Sequence, residues 1–167
     1  MQDLRRIVRV RPTDNRAAFI VGADANCSAE LKDTSDGGGT WSAGGYVAQT
    51  WYRDPKNPLV VRGPRSGLSA PCGKRAVMDL AVLTAGSAQV LCADDLVRST
   101  TDNGSRWYDV GKVDGAVALA VGTVNLAGTY VARLGASDWT GVQVMRVGQR
   151  FATSCIQVSI PKDPGHP

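Results

Sequence analysis

The sequence has too few of several residue types to support most catalytic and metal-binding chemistry. Its only histidine is His166, in the C-terminal tail, and its only glutamate is Glu30. A Ser-His-Asp or Cys-His site needs a histidine base beside its nucleophile, which a residue in the tail does not provide. No C-x-x-C pair is present, so a zinc site is not expected either. We therefore predict no metal, no cofactor and no histidine-dependent catalysis.

Long apolar runs and clustered charge are also absent. No stretch approaches the roughly 20 apolar residues of a membrane-spanning helix. The basic N-terminus lacks the apolar core of a signal peptide, so none is visible in this chain. The net charge is +4, the basic residues are mostly scattered, and aromatic residues make up only 6% of the chain. These features predict neither a membrane span nor a nucleic-acid partner.

The chain is instead organised around a turn that occurs twice. The first copy comprises Thr34, Asp36, Gly38, Thr40 and Trp41, and the second comprises Thr100, Asp102, Gly104 and Trp107. We call residues 34–41 and 100–107 the first and second repeat turns. An aspartate in a tight turn can accept backbone N–H bonds, and glycine supplies the position with positive φ. We therefore expect both aspartates to bond within their own turns rather than to catalyse.

The repeat turns resemble the Asp-box, or BNR repeat, of β-propellers of the sialidase and sortilin-like superfamily. The second copy departs from the box pattern at Arg106, where threonine is usual. In that family the box lies between the third and fourth strands of a blade, at the rim and away from the central pocket. The resemblance implies a β-propeller fold, here a partial one, and a structural role for the boxes. It carries little information about function.

The rest of the pattern fits short strands. No apolar period of 3.6 residues persists over three turns, so we predict an all-β fold of about three four-stranded antiparallel blades. The clearest strands are expected at 76–83, 87–93 and 96–100. We expect one domain. A first blade (1–50) is followed by a Pro- and Gly-rich excursion (51–75) and a second blade (76–111). A degenerate third blade (112–150) precedes a final strand with its tail (151–167). We expect at most one short strand in the excursion.

Three blades raise a problem of closure. Closed propellers typically have 4–8 blades, and an incomplete ring leaves two open edges that invite pairing. Three alternatives remain open: the chain is part of a longer propeller, two copies complete one ring, or the terminal strands share a fourth blade.

Four widely spaced cysteines predict two disulfides, the alternative being four buried thiols. Cys27 follows a predicted strand end and Cys72 precedes the next apolar strand, so we favour Cys27–Cys72 among the three connectivities. That choice leaves Cys92–Cys155. We accordingly expect a secreted or cell-envelope protein, and the Arg-, Ala-, Gly- and Val-rich composition suggests a bacterial gene.

Ligand contacts are expected on the excursion and on an inner strand. The excursion carries residues suited to an anionic or sugar-like ligand, namely Trp51, Tyr52, Arg53, Arg62 and Arg65. Asp79 lies within an apolar strand, where a carboxylate is costly unless it is paired or faces a channel. The alternative is a solvated loop, with Asp79 bonded to backbone or to an arginine.

Three functions are compatible with the resemblance. We favour a non-catalytic, exported binding or interaction module whose ligand is a glycan or a protein. The alternatives are a sialidase-like glycoside hydrolase, or a fragment of one, and a scaffold resembling photosystem-assembly propellers. The chain lacks the Phe-Arg-Ile-Pro motif of sialidases, and Glu30 has no assignable tyrosine partner.

Overall fold

The computed structural model describes residues 4–12, 15–43, 50–64, 67–122, 127–134 and 142–147, and the backbone of 156–158. Within these ranges the secondary structure is entirely β, and the strands form four antiparallel sheets in chain order. The first sheet contains β1 (Arg6–Pro12), β2 (Ala18–Ala23), β3 (Ala29–Thr34) and β4 (Ser42–Ala43). The second contains β5 (Tyr52–Arg53), β6 (Val61–Gly63) and β7 (Gly67–Ser69).

The third and fourth sheets repeat the four-stranded plan of the first. The third contains β8 (Val77–Val82), β9 (Ala88–Cys92), β10 (Leu96–Thr100) and β11 (Tyr108–Lys112). The fourth contains β12 (Ala116–Gly122), β13 (Gly128–Leu134), β14 (Val142–Arg146) and β15 (Ile156–Val158). The predicted all-β architecture with four-stranded antiparallel sheets is confirmed.

The second sheet corrects the prediction of at most one short strand in the excursion. Tyr52 pairs with Arg62, and Val61 pairs with Ser69, so three strands of two or three residues form a sheet of their own. Strands this short show no measurable alternation in sequence. Their register depends on the neighbouring sheets and not on their own residue pattern.

The final strand also takes a different place from the one that the sequence division gave it. Val142 of β14 pairs with Val158 of β15, so β15 is the fourth strand of the fourth sheet. The division at residue 151 set this strand apart from the preceding blade.

The sheets pack side by side and share two apolar cores. The core between the second and third sheets includes Trp51, Val61, Val77 and Val90. The core between the third and fourth sheets includes Leu91, Val97, Leu119 and Val131. The first strands β1, β5, β8 and β12 provide contacts from each sheet to the next, as expected for strands nearest a common axis.

The disulfide connectivity differs from the predicted one. Cys72 is bonded to Cys92, with Cα atoms 5.5 Å apart, so both the Cys27–Cys72 and the Cys92–Cys155 pairings are wrong. Cys27 is an exposed free thiol in the turn after β2, and Cys155 lies outside the described residues. The disulfide holds the turn that carries Cys72 to the end of β9, and Arg98 of β10 donates to the carbonyl of Pro71 in the same turn.

The disulfide closes a 20-residue separation, and this leads to a first prediction. A double Cys72→Ala, Cys92→Ala variant should lose about 3 kcal/mol of unfolding free energy in urea, because the unfolded chain regains the entropy of the open loop. Cys27→Ala is the control and should change stability by less than about 0.5 kcal/mol. Peptide mapping that links Cys27 to either partner would contradict the assignment.

Candidate functional site

The first repeat turn connects β3 to β4 and uses its polar groups internally. Thr34 Oγ1 donates to Asp36 Oδ1 at 2.7 Å and accepts from Gly38 N at 3.1 Å. Thr40 bonds to the same carboxylate twice, because its N donates to Oδ1 at 2.9 Å and its Oγ1 donates to Oδ2 at 2.7 Å. The Thr40 hydroxyl and N–H, with the Thr34 hydroxyl, hold the pKa of the Asp36 carboxyl well below its usual range. Trp41 lies over Gly38, which has a φ of 95°.

The second repeat turn connects β10 to β11 with the same arrangement. Thr100 Oγ1 donates to Asp102 Oδ1 at 2.8 Å and accepts from Gly104 N at 3.0 Å. Arg106 N donates to Asp102 Oδ1 at 2.9 Å, and this bond is the main cause of the lowered pKa of the Asp102 carboxyl. The arginine side chain supplies no counterpart to the Thr40 hydroxyl. Both aspartates therefore bond within their own turns, Asp36 through both carboxylate oxygens and Asp102 through Oδ1.

Three adjoining clefts surround β5 and form the candidate site. The central cleft, of about 240 Å³, is lined by Val8, Arg9, Val10, Tyr52, Arg53, Asp79 and Leu80. The proline cleft, of about 140 Å³, is lined by Arg6, Ile7, Val8, Arg53, Asp54, Pro55, Pro58 and Val77. The outer cleft, of about 280 Å³, is lined by Cys27, Ser28, Ala29, Tyr52, Asp54, Pro55, Lys56 and Arg62. Each cleft shares lining residues with the other two, so they form one connected surface.

Arg9 brings a partly buried positive charge to the central cleft. Its Nη1 donates to the carbonyl of Leu80 at 3.4 Å, and its buried Nε has no hydrogen-bond partner among the described residues. Burial lowers the pKa of the Arg9 guanidinium, and the charge of Arg11 lowers it further, while Asp79 acts in the opposite direction. An anion in this cleft would relieve the cost of burying that charge.

The two aspartates of the clefts are already bonded. Asp54 Oδ2 accepts from Arg62 Nε at 2.7 Å, and Asp54 Oδ1 accepts from Lys56 N at 2.8 Å. Burial alone would raise the pKa of the Asp54 carboxyl, but these bonds outweigh it and lower the pKa. Asp79 accepts from Leu119 N at 2.7 Å and from Leu80 N at 2.8 Å, so it links β8 to β12.

Four of the six residues that were predicted to contact a ligand line the clefts. Tyr52, Arg53, Arg62 and Asp79 line the clefts, whereas Arg65 lies outside the described residues. Trp51 is corrected to a core residue because it is 1% exposed and its Nε1 donates to the carbonyl of Ala85 at 2.8 Å. Its ring meets Trp107 edge-on, with centroids 6.1 Å apart.

Sequence reasoning missed Arg9 as a site residue. Arg9 stands opposite Val21 in the β1–β2 register, and Val21 is fully buried. The sign of a site residue was an arginine on the same face as a core valine. The sequence alone does not reveal this shared face, because a β-bulge at Val8 shifts the pairing register of β1 and β2.

Glu30 does not join this surface. It pairs with Lys32 at 3.5 Å on β3 and is absent from the lining of the three clefts. Within the described ranges, no group of three or more His, Cys, Asp or Glu side chains is arranged to hold a metal ion. In the same ranges, no helix is long and apolar enough to cross a membrane.

The lowered pKa of Asp36 gives a second prediction. A carboxyl with a depressed folded-state pKa stabilises the fold above its unfolded pKa, near 3.8, and loses that contribution as the pH falls toward the folded value. Asp36→Asn should therefore lower the urea midpoint at neutral pH, and its difference from wild type should narrow below about pH 4. Asp114→Asn, at a carboxylate whose side chain is 84% exposed, is the control. A difference independent of pH would contradict the assignment.

Asp79 gives a third prediction, for the packing of the third sheet against the fourth. Asp79→Ala leaves Leu119 N without its acceptor and should cost about 1–3 kcal/mol of unfolding free energy. Asp79→Asn keeps one carbonyl acceptor and should cost less. Urea unfolding measures both, and equal losses for the two variants would show that the bond to Leu119 N does not carry the effect.

Comparison with known proteins supports the fold. No protein-family model and no curated protein matches the sequence. The chain is similar to a solved structure described as YCF48 bound to D1 peptide, with a TM-score of 0.53 and 18% identity over 86% of this chain and 51% of that one. A structure of YCF48 from Cyanidioschyzon merolae gives a TM-score of 0.50 and 11% identity, over 89% of this chain and 56% of that one.

The chain thus spans about half the length of these solved structures. YCF48 is a β-propeller. At this level of identity the likeness shows the fold alone, and it confirms the prediction of a propeller-like arrangement of antiparallel sheets.

Proposed function

We propose that this chain is a non-catalytic, propeller-like scaffold that binds a protein partner through an extended acidic segment. The observation that carries the proposal is the charge of the connected clefts. Five cationic side chains line them: Arg6, Arg9, Arg53, Lys56 and Arg62. The two carboxylates, Asp54 and Asp79, already accept hydrogen bonds from the protein. The surface as a whole is therefore suited to an anionic ligand.

The shape of the clefts favours a chain over a compact small molecule. A small-molecule pocket typically encloses its ligand in one cavity of about 300–1,000 Å³, whereas here the space is divided among three smaller clefts around β5. A row of shallow clefts that share their walls instead suits successive side chains of an extended segment. Arginine recognises carboxylates through paired N–H bonds, which gives orientation as well as attraction.

The comparisons support a protein ligand over a glycan. One of the similar structures is described as bound to D1 peptide, which is a property of that protein and is extended to this chain only as a proposal. Hydrolysis of a glycoside gains no support from the site, because Glu30 lies elsewhere and both oxygens of Asp79 accept backbone N–H bonds.

We also propose that the repeat turns are Asp-boxes and that the protein is exported. The near-identical hydrogen bonds of the two turns support the first statement. The disulfide between Cys72 and Cys92 supports the second, because such bonds persist in oxidising compartments.

The fourth prediction tests acidic-segment binding with a defined probe. A fluorescent peptide of alternating glutamate and alanine should bind at least about tenfold tighter than its glutamine counterpart, and its affinity should fall as salt rises. Arg9→Gln and Lys56→Gln should each weaken binding about three- to tenfold, measured by fluorescence anisotropy.

Arg106→Gln is the matched control, because it removes the same charge from the second repeat turn and leaves the clefts intact. It should change the affinity less than about twofold. Equal binding of the glutamine peptide, or an equal loss with Arg106→Gln, would overturn the proposal. Thermal melting of each variant separates lost binding from lost folding.

A further inference from the structure

The first strands of the three four-stranded sheets share one irregularity. The pairing register of β1, β8 and β12 shifts near the start of each strand, and each shift leaves one extra residue there. We call these extra residues the bulge residues: Val8, Met78 and Val117. A β-bulge re-aims a side chain relative to the regular alternation of a strand, and bulges are frequent next to functional sites.

All three bulge residues are apolar, and two of them are well exposed. Met78 is 47% exposed and Val117 is 46% exposed, whereas Val8 is partly buried and lines both the central and the proline cleft. A single exposed apolar residue is ordinary on a protein surface. Here the same irregularity places an apolar residue on three first strands, which makes the arrangement a repeated feature of the fold.

The bulge at Met78 lies directly against an arginine of the clefts. Two consecutive carbonyls of this bulge accept from one guanidinium nitrogen, because Arg53 Nη1 donates to Val77 O at 3.3 Å and to Met78 O at 2.5 Å. Arg53 lines the central and the proline cleft, and a guanidinium has five N–H donors. A carboxylate that binds the remaining donors of Arg53 therefore lies close to Met78.

The surface becomes apolar beyond Met78. Asp79 Oδ2 accepts from Leu119 N at 2.7 Å, so β8 and β12 are joined just after their two bulges. Every residue of β12 is alanine, valine, leucine or glycine, and Val117 is the exposed valine at its start. A segment that continues from Arg53 toward β12 thus passes from a cationic surface to an apolar one.

We propose that the partner segment carries a large apolar side chain two residues from a carboxylate, and that this side chain packs on Met78 and Val117 while the carboxylate binds Arg53. This inference rests on the proposed binding of an extended acidic segment. Side chains two positions apart lie on the same side of an extended chain, about 7 Å from each other. The charge of Asp79, next to Met78, opposes a second acidic side chain at this point, because like charges repel.

Peptides of defined pattern test the spacing. In an alternating glutamate-alanine peptide all glutamates lie on one side. Replacing a central glutamate by leucine puts the leucine on that side, and replacing the same glutamate by alanine gives a reference of equal charge. By fluorescence anisotropy, the leucine peptide should bind at least about fivefold tighter than the reference. Leucine in place of a neighbouring alanine, on the opposite side, should change the affinity of the parent peptide less than about twofold.

Substitutions at the bulge residues test the location. Met78→Gln and Val117→Thr keep the approximate size of each side chain and remove its apolar character, at exposed positions where the fold tolerates change. Each should reduce the preference for leucine below about twofold and leave the affinity for the reference peptide within about twofold. Leu134→Gln on β13, at a residue that is 64% exposed, is the matched control and should keep the preference. Thermal melting checks that each variant is folded.

The outcomes separate this inference from the proposed function. If the glutamate-alanine peptide binds no tighter than its glutamine counterpart, both are overturned. If it binds tighter but leucine gives no preference, or the same preference from either side, only the apolar contact is overturned. The same conclusion follows if the preference survives both bulge substitutions or is lost in the Leu134→Gln control.

Discussion

A β-sheet has two faces, and the second, third and fourth sheets of this chain bury apolar residues against their neighbours in the sequence. The third sheet shows the constraint most fully. All five residues of β9 are buried, with Val90 facing the second sheet and Leu91 facing the fourth. Full burial of such a side chain stabilises the fold by about 1.5–3 kcal/mol. The order of the sheets in space therefore follows their order in the chain, and among the described residues no strand of the first sheet packs extensively against a strand of the fourth.

The same arrangement explains why polar side chains on β1, β5 and β8 bond to backbone groups of other sheets. Each first strand is the edge of its own sheet, and its outward N–H and C=O groups have no partner strand. Side chains from neighbouring sheets supply some of the missing bonds: Arg53 donates to the carbonyls of Val77 and Met78, and Asp79 accepts from Leu119 N. A guanidinium has five N–H donors, so bonding a carbonyl through Nη1 is compatible with holding a carboxylate. Structural bonding and ligand recognition can thus use the same arginines.

The sequence predicts what depends on local chemistry and misses what depends on neighbours. The strand at 96–100 and the two repeat turns follow from residue pattern, and the side-chain bonds of each turn are formed within eight residues of chain. The strands of the second sheet are too short for a pattern, and the Cys72–Cys92 bond depends on where the turn before β8 meets the end of β9. Trp51 was predicted to contact a ligand because of its residue type and its place in the excursion. Only the packing of the second sheet on the third shows that it is buried. Arg9 belongs to the site because of a bulge that sets its register.

The candidate site centres on β5 of the smallest sheet, between β1 and β8, and this sheet has little core of its own. The segment from Trp51 to Cys72, which contains this sheet, is instead fixed at both ends. Trp51 enters the core and bonds to the carbonyl of Ala85 just before β5, and Cys72 is bonded to Cys92 just after β7. Between these two anchors, Tyr52 and Arg53 are positioned by the protein itself, which would reduce the ordering cost of the proposed binding. A binding surface on an excursion can therefore be as well ordered as one on a long strand, provided that its ends are tied to a sheet whose two faces are buried.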